Sequence, residues 1–213
     1  YNTPQPAGAK TLRVKAGHAN DTAAGTGARE ITIIGIDETG AEQTEVLATA
    51  GGTASAATTV TFIRLLSAFV SGSGTYATQI AGSHAADIVI EDGVGGLIWA
   101  IIRASGFPAS TTEVGAYTIP VGYTGYFLSG YGFSDSNKIT ELMFFIRNGI
   151  LDTSPPYQAM SVLFEEYLEG GQFTLAPKTP ILLGTACDVG FLAKVDAGSA
   201  LVIVDFEILL VKN

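Results

Sequence analysis

This chain is poor in the residues that carry chemistry. It has one cysteine, Cys187, and two histidines, His18 and His84, in 213 residues. A lone cysteine excludes an intrachain disulfide and any multi-cysteine metal centre. Flanked by Gly184, Thr185, Ala186 and Asp188, Cys187 reads as a small buried side chain. Charge is scarce too: 15% of residues are Asp, Glu, Lys or Arg, against about 25% in an ordinary soluble domain. The eleven Lys and Arg residues are scattered with no two adjacent, and the net charge is −9. Such a chain offers no basic patch to phosphates, so DNA and RNA are excluded as direct partners. Long apolar runs are missing as well. A membrane-spanning helix needs about 20 apolar residues, and the most apolar stretch, Leu201 to Val211, is cut by Asp205 and Glu207. The first residues, from Tyr1, lack the basic-then-apolar pattern of a signal peptide.

What is abundant is apolar area. Hydrophobic residues make up 47% of the chain and mean hydropathy is +0.35. With so few charges to cover a monomer's surface and no spanning helix, the natural sink for that area is an interface between subunits. Glycine is plentiful, at 26 residues, and turn signals punctuate the chain at the intervals typical of sandwiches and barrels. The expected fold is all-β: two tandem antiparallel β-sandwich units, jelly-roll-like, over residues 1–93 and 97–213. Gly93-Val94-Gly95-Gly96 is the expected boundary.

The strand signals are local. Leu12, Val14 and Ala16 alternate with Arg13, Lys15 and Gly17, the mark of a half-buried strand. Ile31 and Ile33 lie in one phase and Ile34 and Ile36 in the other, which predicts a bulge or a strand covered on both faces. Asp37 to Gly40 is a turn into a second strand. Strands are also expected at 59–70, 88–90, 97–103, 116–120, 123–131, 140–148, 173–175, 181–183, 189–195 and 201–211. The stretch 157–168 is ambiguous between strand and short helix. In the last strand, Val202, Val204, Phe206, Ile208 and Leu210 share one face. Leu201, Ile203, Asp205, Glu207, Leu209 and Val211 share the other.

Reactive constellations are weak. His18 lies three before Asp21; His84 follows Ser83 and lies three before Asp87. A Ser-His-Asp set is defined by spatial geometry rather than local order, and no G-x-S-x-G elbow occurs, so both read as loop or surface histidines. Glu165-Glu166 and Asp37-Glu38 are adjacent acids, read as solvated faces rather than a glycosidase pair across a cleft. Asn20-Asp21-Thr22, Asp135-Ser136-Asn137 and Asp196 have oxygen donors for a hard cation but no EF-hand spacing, and they read as turns. Gly25-Thr26-Gly27 is not a phosphate loop, because no G-K-[ST] follows and a strand comes next. No catalytic, cofactor-binding or metal-binding residue is expected.

Three stretches carry a likeness. Asn20 to Arg29, with its D-T-A-A-G-T-G-A-R run, leads into a strand, Gly35-Ile36-Asp37, a turn and a strand rich in Glu and Thr. Tyr117 to Tyr126, Y-T-I-P-V-G-Y-T-G-Y, is similar to a Y-T-V-P-A-G-K-T-A-Y-L segment. Phe173-Thr174-Leu175-Ala176-Pro177, followed by Lys178-Thr179-Pro180-Ile181, is similar to a late F-x-I-P-x-x-T-D-I pattern. Together they cover about a quarter of the chain, and the set resembles the virion structural proteins of tailed bacteriophages of marine type. Tyr123 stands where that pattern has Lys or Thr, and Pro180 where it has Asp. Apart from the family, Pro120 and Gly122 should reverse the chain and bring Tyr117 and Tyr126 onto neighbouring strands.

The resemblance implies a capsid decoration or cement subunit on the virion surface. It implies contacts with itself, as a homotrimer, and with the major capsid protein. A tail, neck or fibre-base component is the alternative within virions. From another class, a carbohydrate-binding β-sandwich would use Tyr123, Tyr126, Tyr131 and Trp99 as a stacking platform. The last strand is expected to be an inner strand or to be covered by a neighbouring subunit, with Leu201, Ile203, Leu209 and Val211 as interface residues.

Overall fold

A computed structural model describes residues 8–74, 84–104 and 110–213, without the side chains of 136 and 137. Among them are twelve strands, β1 to β12, and no helix. Every paired strand is antiparallel. The all-β, antiparallel expectation holds. Contacts divide the chain between Val114 and Gly115.

The N-terminal unit is built from two three-stranded sheets. One has the order β3 (Glu42–Ala48), β2 (Ala28–Asp37), β4 (Phe62–Ser73). The other has the order β1 (Leu12–Ala16), β5 (Ile88–Asp92), β6 (Ile98–Ile102). Leu12, Val14, Ile31, Ile33, Phe62, Leu65, Ile88, Ile90 and Trp99 from both sheets form one buried cluster, so this unit is a sandwich. As the double phase of its isoleucines requires, β2 is the central strand, and its register with β4 shifts at Ile34/Gly35. The Gly93–Gly96 segment is not a boundary. It is the turn of the β5–β6 hairpin, where the Asp92 amide donates to the Leu97 carbonyl at 3.0 Å and the Gly95 amide to the Asp92 carbonyl at 2.9 Å. A glycine-rich turn between two apolar strands has the same local signature whether it joins units or closes a hairpin.

Two aspartates organise the loops of this unit. Asp37 closes the β2–β3 turn: its carboxylate accepts from the Thr39 amide (2.8 Å) and hydroxyl (2.7 Å), the Ala41 amide (3.0 Å) and the Gln43 side chain (2.8 Å). Asp21 is fully buried. Its Oδ1 accepts the amides of Ala28 and Ala85, both at 2.9 Å, and its Oδ2 that of Ala86 at 3.2 Å. The carboxylate thus ties the loop before β2 to the segment before β5. Gly27 must stay glycine for this, since a Cβ there would lie 2.0 Å from Asp21 Oδ1.

The C-terminal unit turns on one strand. β8 runs from Tyr123 to Arg147, joining into 25 residues what the sequence suggested as two strands. It pairs with β9 (Ser161–Leu175), β10 (Ile181–Leu183), β11 (Cys187–Val195) and β12 (Val202–Lys212). The pairings join these strands with β7 into a single hydrogen-bonded antiparallel sheet. Between Ser134 and Ile139 β8 advances five residues while β9 advances two, from Gly171 to Glu169. At this corner the partner on one edge changes from β12, ending at Val202↔Ser134, to β11, starting at Val195↔Thr140. The ambiguous stretch 157–168 resolves as strand from Ser161 onward, because β8 offers it a ladder that outweighs its weak helical period.

β7 (Ala116–Ile119) pairs with β11, not with β8. The Pro120–Gly122 turn therefore does not place Tyr117 and Tyr126 on paired strands: Tyr117 lies opposite Val189 of β11, and Tyr126 between Leu182 of β10 and Leu209 of β12. The core is aromatic. Ring centroids are 4.3 Å apart for Phe127–Phe144, 5.2 Å for Phe144–Phe191 and 6.0 Å for Phe173–Phe191. Gly132 on β8 makes room for it, because a Cβ there would meet the Phe173 ring at 2.0 Å.

Two stability predictions follow from this packing. Asp21→Ala orphans three amides, and urea unfolding should show a loss of about 2–4 kcal/mol. Gly132→Ala overpacks the aromatic core, with an expected cost of about 1–3 kcal/mol. A wild-type midpoint for either variant would refute the corresponding contact.

A third prediction concerns pH. Burial raises the pKa of the Asp37 carboxyl, but the hydrogen bonds from Thr39, Gln43 and Ala41 together outweigh it and hold the group below its ordinary value. A lowered folded-state pKa stabilises fully above the unfolded aspartate value, and that stabilisation fades as pH falls through the folded value. Asp37→Asn should therefore flatten the acid limb of a stability-versus-pH curve and leave its slope near neutrality unchanged.

Candidate functional site

The sites considered from sequence separate clearly once the strands are placed. Cys187, in β11, is fully buried and its pKa is pushed up to about 11, by burial first and then by the neighbouring Asp188 carboxylate. His18 is exposed, and its Nδ1 accepts the Asn20 amide at 3.0 Å. His84 is buried rather than on the surface, packed close to the segment that Asp21 ties down; Ser83 lies outside the described residues. Glu165 and Glu166 are successive strand residues and so point to opposite faces of β9. Glu165 accepts a hydrogen bond from the Tyr167 hydroxyl, which lifts the Tyr167 pKa to about 12. Asp37 is committed to its turn.

Two acids of the oxygen-rich loops are similarly occupied. Asp21 is saturated by amides, and Asp135 Oδ1 accepts the Leu201 amide at 2.7 Å. Among the described residues no three His, Cys, Asp or Glu side chains converge as a metal-binding group. The aromatic platform does not assemble. Trp99 is in the core of the N-terminal unit, and Tyr123 packs against the core of the C-terminal unit. Tyr126 and Tyr131 alone of the four share the outward face of β8.

That outward face is the candidate site. β12 is an edge strand, pairing only with β8 among the described residues, so the expectation of an inner strand does not hold. Its alternation does hold. Val204, Phe206, Ile208 and Leu210 pack against the core, while Leu201, Ile203, Leu209 and Val211 point outward and are 57%, 49%, 51% and 43% exposed. Register extends this face across three strands. Leu182 of β10, Tyr126 of β8 and Leu209 of β12 form one row; Ile203 lies opposite Phe133, and Val211 opposite Thr124. Leu182 is 63% exposed. The sheet thus presents aliphatic side chains at both ends of β12 to the outside of this chain.

In the middle of the face the chemistry changes. Asp205 lies opposite Tyr131, which is opposite Thr174 of β9, and Glu207 lies opposite Ser129. These residues, with Gly130 and Phe206, line an open depression. The Tyr131 hydroxyl donates to Gln172 Oε1 at 2.9 Å, which anchors the ring toward β9. The sequence reading singled out the aliphatic residues but not this depression; the alternation places Asp205 and Glu207 on one face, and only the pairing with β8 sets Tyr131 beside them.

The burial of Cys187 gives a direct check. Its thiol should resist a water-soluble disulfide reagent at pH 8 in the native state and react fully in denaturant; fast native reaction would contradict the burial. No family model, curated protein or solved structure matches this chain.

Proposed function

We propose that the chain is a virion structural protein, a decoration or cement subunit on the head of a tailed phage. Its role in this reading is mechanical and not catalytic. The observation that carries the reading is the outward face of β12. Four aliphatic residues, two at each end of an alternating face with Asp205 and Glu207 at its middle, stand about half exposed on a chain already short of surface charge. Burying such a face against neighbouring subunits contributes roughly 25 cal/mol for each Å² of apolar surface removed from water. The likeness of the segments at 21–29, 117–126 and 173–181 to phage virion proteins supplies the biological setting. In this reading the subunit contacts the major capsid protein and copies of itself, as a trimer.

The test separates folding from assembly. Leu209→Asp should melt like the wild type, because the side chain is half exposed on the outward face, yet should lose oligomeric mass in sedimentation and fail to pellet with purified phage shells. Phe206→Ala should do the reverse. Phe206 is half-buried at the edge of the core, 6.1 Å from the Phe191 ring between centroids, and its truncation should cost about 1–3 kcal/mol while leaving the outward face intact. If Leu209→Asp retains both mass and shell binding, the β12 face is not the contact surface. If the wild type is a monomer that ignores shells, the virion role itself is wrong.

A further inference from the structure

The turn that ends β8 carries the one Asn-Gly step in the chain, Asn148-Gly149. The ladder with β11 stops at Arg147↔Asp188, so both residues lie outside the strands, and both are exposed. Gly149 has a φ of +64°. Its amide donates no hydrogen bond among the described residues, and the Asn148 side chain makes none among them either. A glycine at this position has no Cβ to hinder the approach of its nitrogen to the preceding side chain. The one Asp-Gly step, Asp92-Gly93, is in the opposite situation: Asp92 is buried, and the Gly93 amide donates to the Thr11 carbonyl at 2.7 Å. Just beyond Asn148 the chain is pinned. Ile150 is fully buried, and its amide donates to the Ala186 carbonyl at 3.3 Å. The Asp152 amide donates to the Gly149 carbonyl at 3.1 Å. A Cβ at Gly149 would lie 3.0 Å from Gln158 Cγ, so the loop folds back onto this glycine. Residues 151–160 are exposed, apart from the half-buried Thr153.

We propose that Asn148 is a site of spontaneous deamidation, and that isoaspartate formed there releases the 151–160 loop from its anchor. The Gly149 nitrogen, after giving its proton to hydroxide, attacks Asn148 Cγ. An N–Cγ bond forms, the Cγ–Nδ2 bond breaks, and the nitrogen takes a proton from water and leaves as ammonia. Water then opens the cyclic imide. Opening at Cγ gives aspartate, and opening at the main-chain carbonyl gives isoaspartate. The sum consumes water and releases ammonia, with no electron transferred. Both products add a negative charge. Isoaspartate alone lengthens the main chain, by one carbon, just before the buried Ile150. A packed interior does not absorb such a shift, so Ile150 and its hydrogen bond to Ala186 are displaced together. In the folded chain Asp92-Gly93 stays inert, because burial and the Thr11 hydrogen bond hold the Gly93 nitrogen in place. This chemistry is independent of the virion reading.

The test keeps the full chain for weeks at pH 8, native and in urea, and maps aspartate and isoaspartate by peptide mass spectrometry with electron-transfer fragmentation. In the native sample, conversion is expected at Asn148 and not at Asp92. In urea both steps should react. An Asn148 that stays intact in the native chain, or an Asp92 that isomerises there as fast as Asn148 converts, would overturn the assignment. The loop is read by brief native digestion with chymotrypsin, which cuts after Tyr157. The aged wild type should be cut there several-fold faster than the fresh protein. Asn148→Asp has the added charge without the added carbon and should be cut like fresh wild type. Aged Asn148→Gln should also be cut like fresh wild type, since its longer side chain closes the ring far more slowly. Isoaspartate at 148 with unchanged cleavage would reject the release of the loop. Faster cleavage in fresh Asn148→Asp would assign the effect to charge and reject the role of the lengthened chain.

Discussion

The C-terminal unit depends on the hydrogen-bonding capacity of one strand. A backbone amide or carbonyl buried without a partner costs as much as a lost hydrogen bond, and β8 supplies the ladders for β9, β10, β11 and β12. Its length lets it do so in two stages. The Tyr123–Ser134 half holds β12, and the Thr140–Arg147 half holds β11 on the same edge. The corner between them is fixed by local contacts: Ser134 and Thr140 hydroxyls 2.9 Å apart in a buried setting, and Asp135 reaching back to the Leu201 amide. Those contacts explain why β12 begins where it does. They also explain why its apolar inner face lies over the phenylalanine cluster.

The same dependence produces the exposed face. A strand that has only one neighbour and one packed side offers its other side to whatever lies outside. Natural edge strands are commonly protected by charge, and β12 carries its two acids near its middle. The flanking aliphatic residues remain uncovered in the single chain. The edge is thus guarded by charge at its middle and left apolar toward both ends.

In the N-terminal unit the buried carboxylate of Asp21 has the corresponding organising role. It takes three amides from two segments distant in sequence. The D-T-A-A-G-T-G-A-R run is thereby explained by folding alone. The aspartate is the acceptor, and the small residues and glycines let the backbone wrap closely around it. A segment that stands out in sequence for its composition turns out to be a structural lock.

The sequence by itself determined the elements whose environment repeats with the strand period. Leu12–Ala16, the double-phased isoleucines of β2, the Asp37 turn and the inward and outward sets of β12 were legible because adjacent residues alternate between core and solvent whatever the sheet order. Cys187 was legible as buried from its own small size and the small residues around it. Tertiary structure alone decided three things. The two halves of β8 became one strand because β9 runs alongside both. Gly93–Gly96 became a hairpin turn because β5 and β6 pair with each other, and Trp99 and Tyr123 left the supposed aromatic platform for their cores. Tyr131 came to stand beside Asp205, some seventy residues away, through register, which depends on long-range pairing and leaves no local trace in the chain.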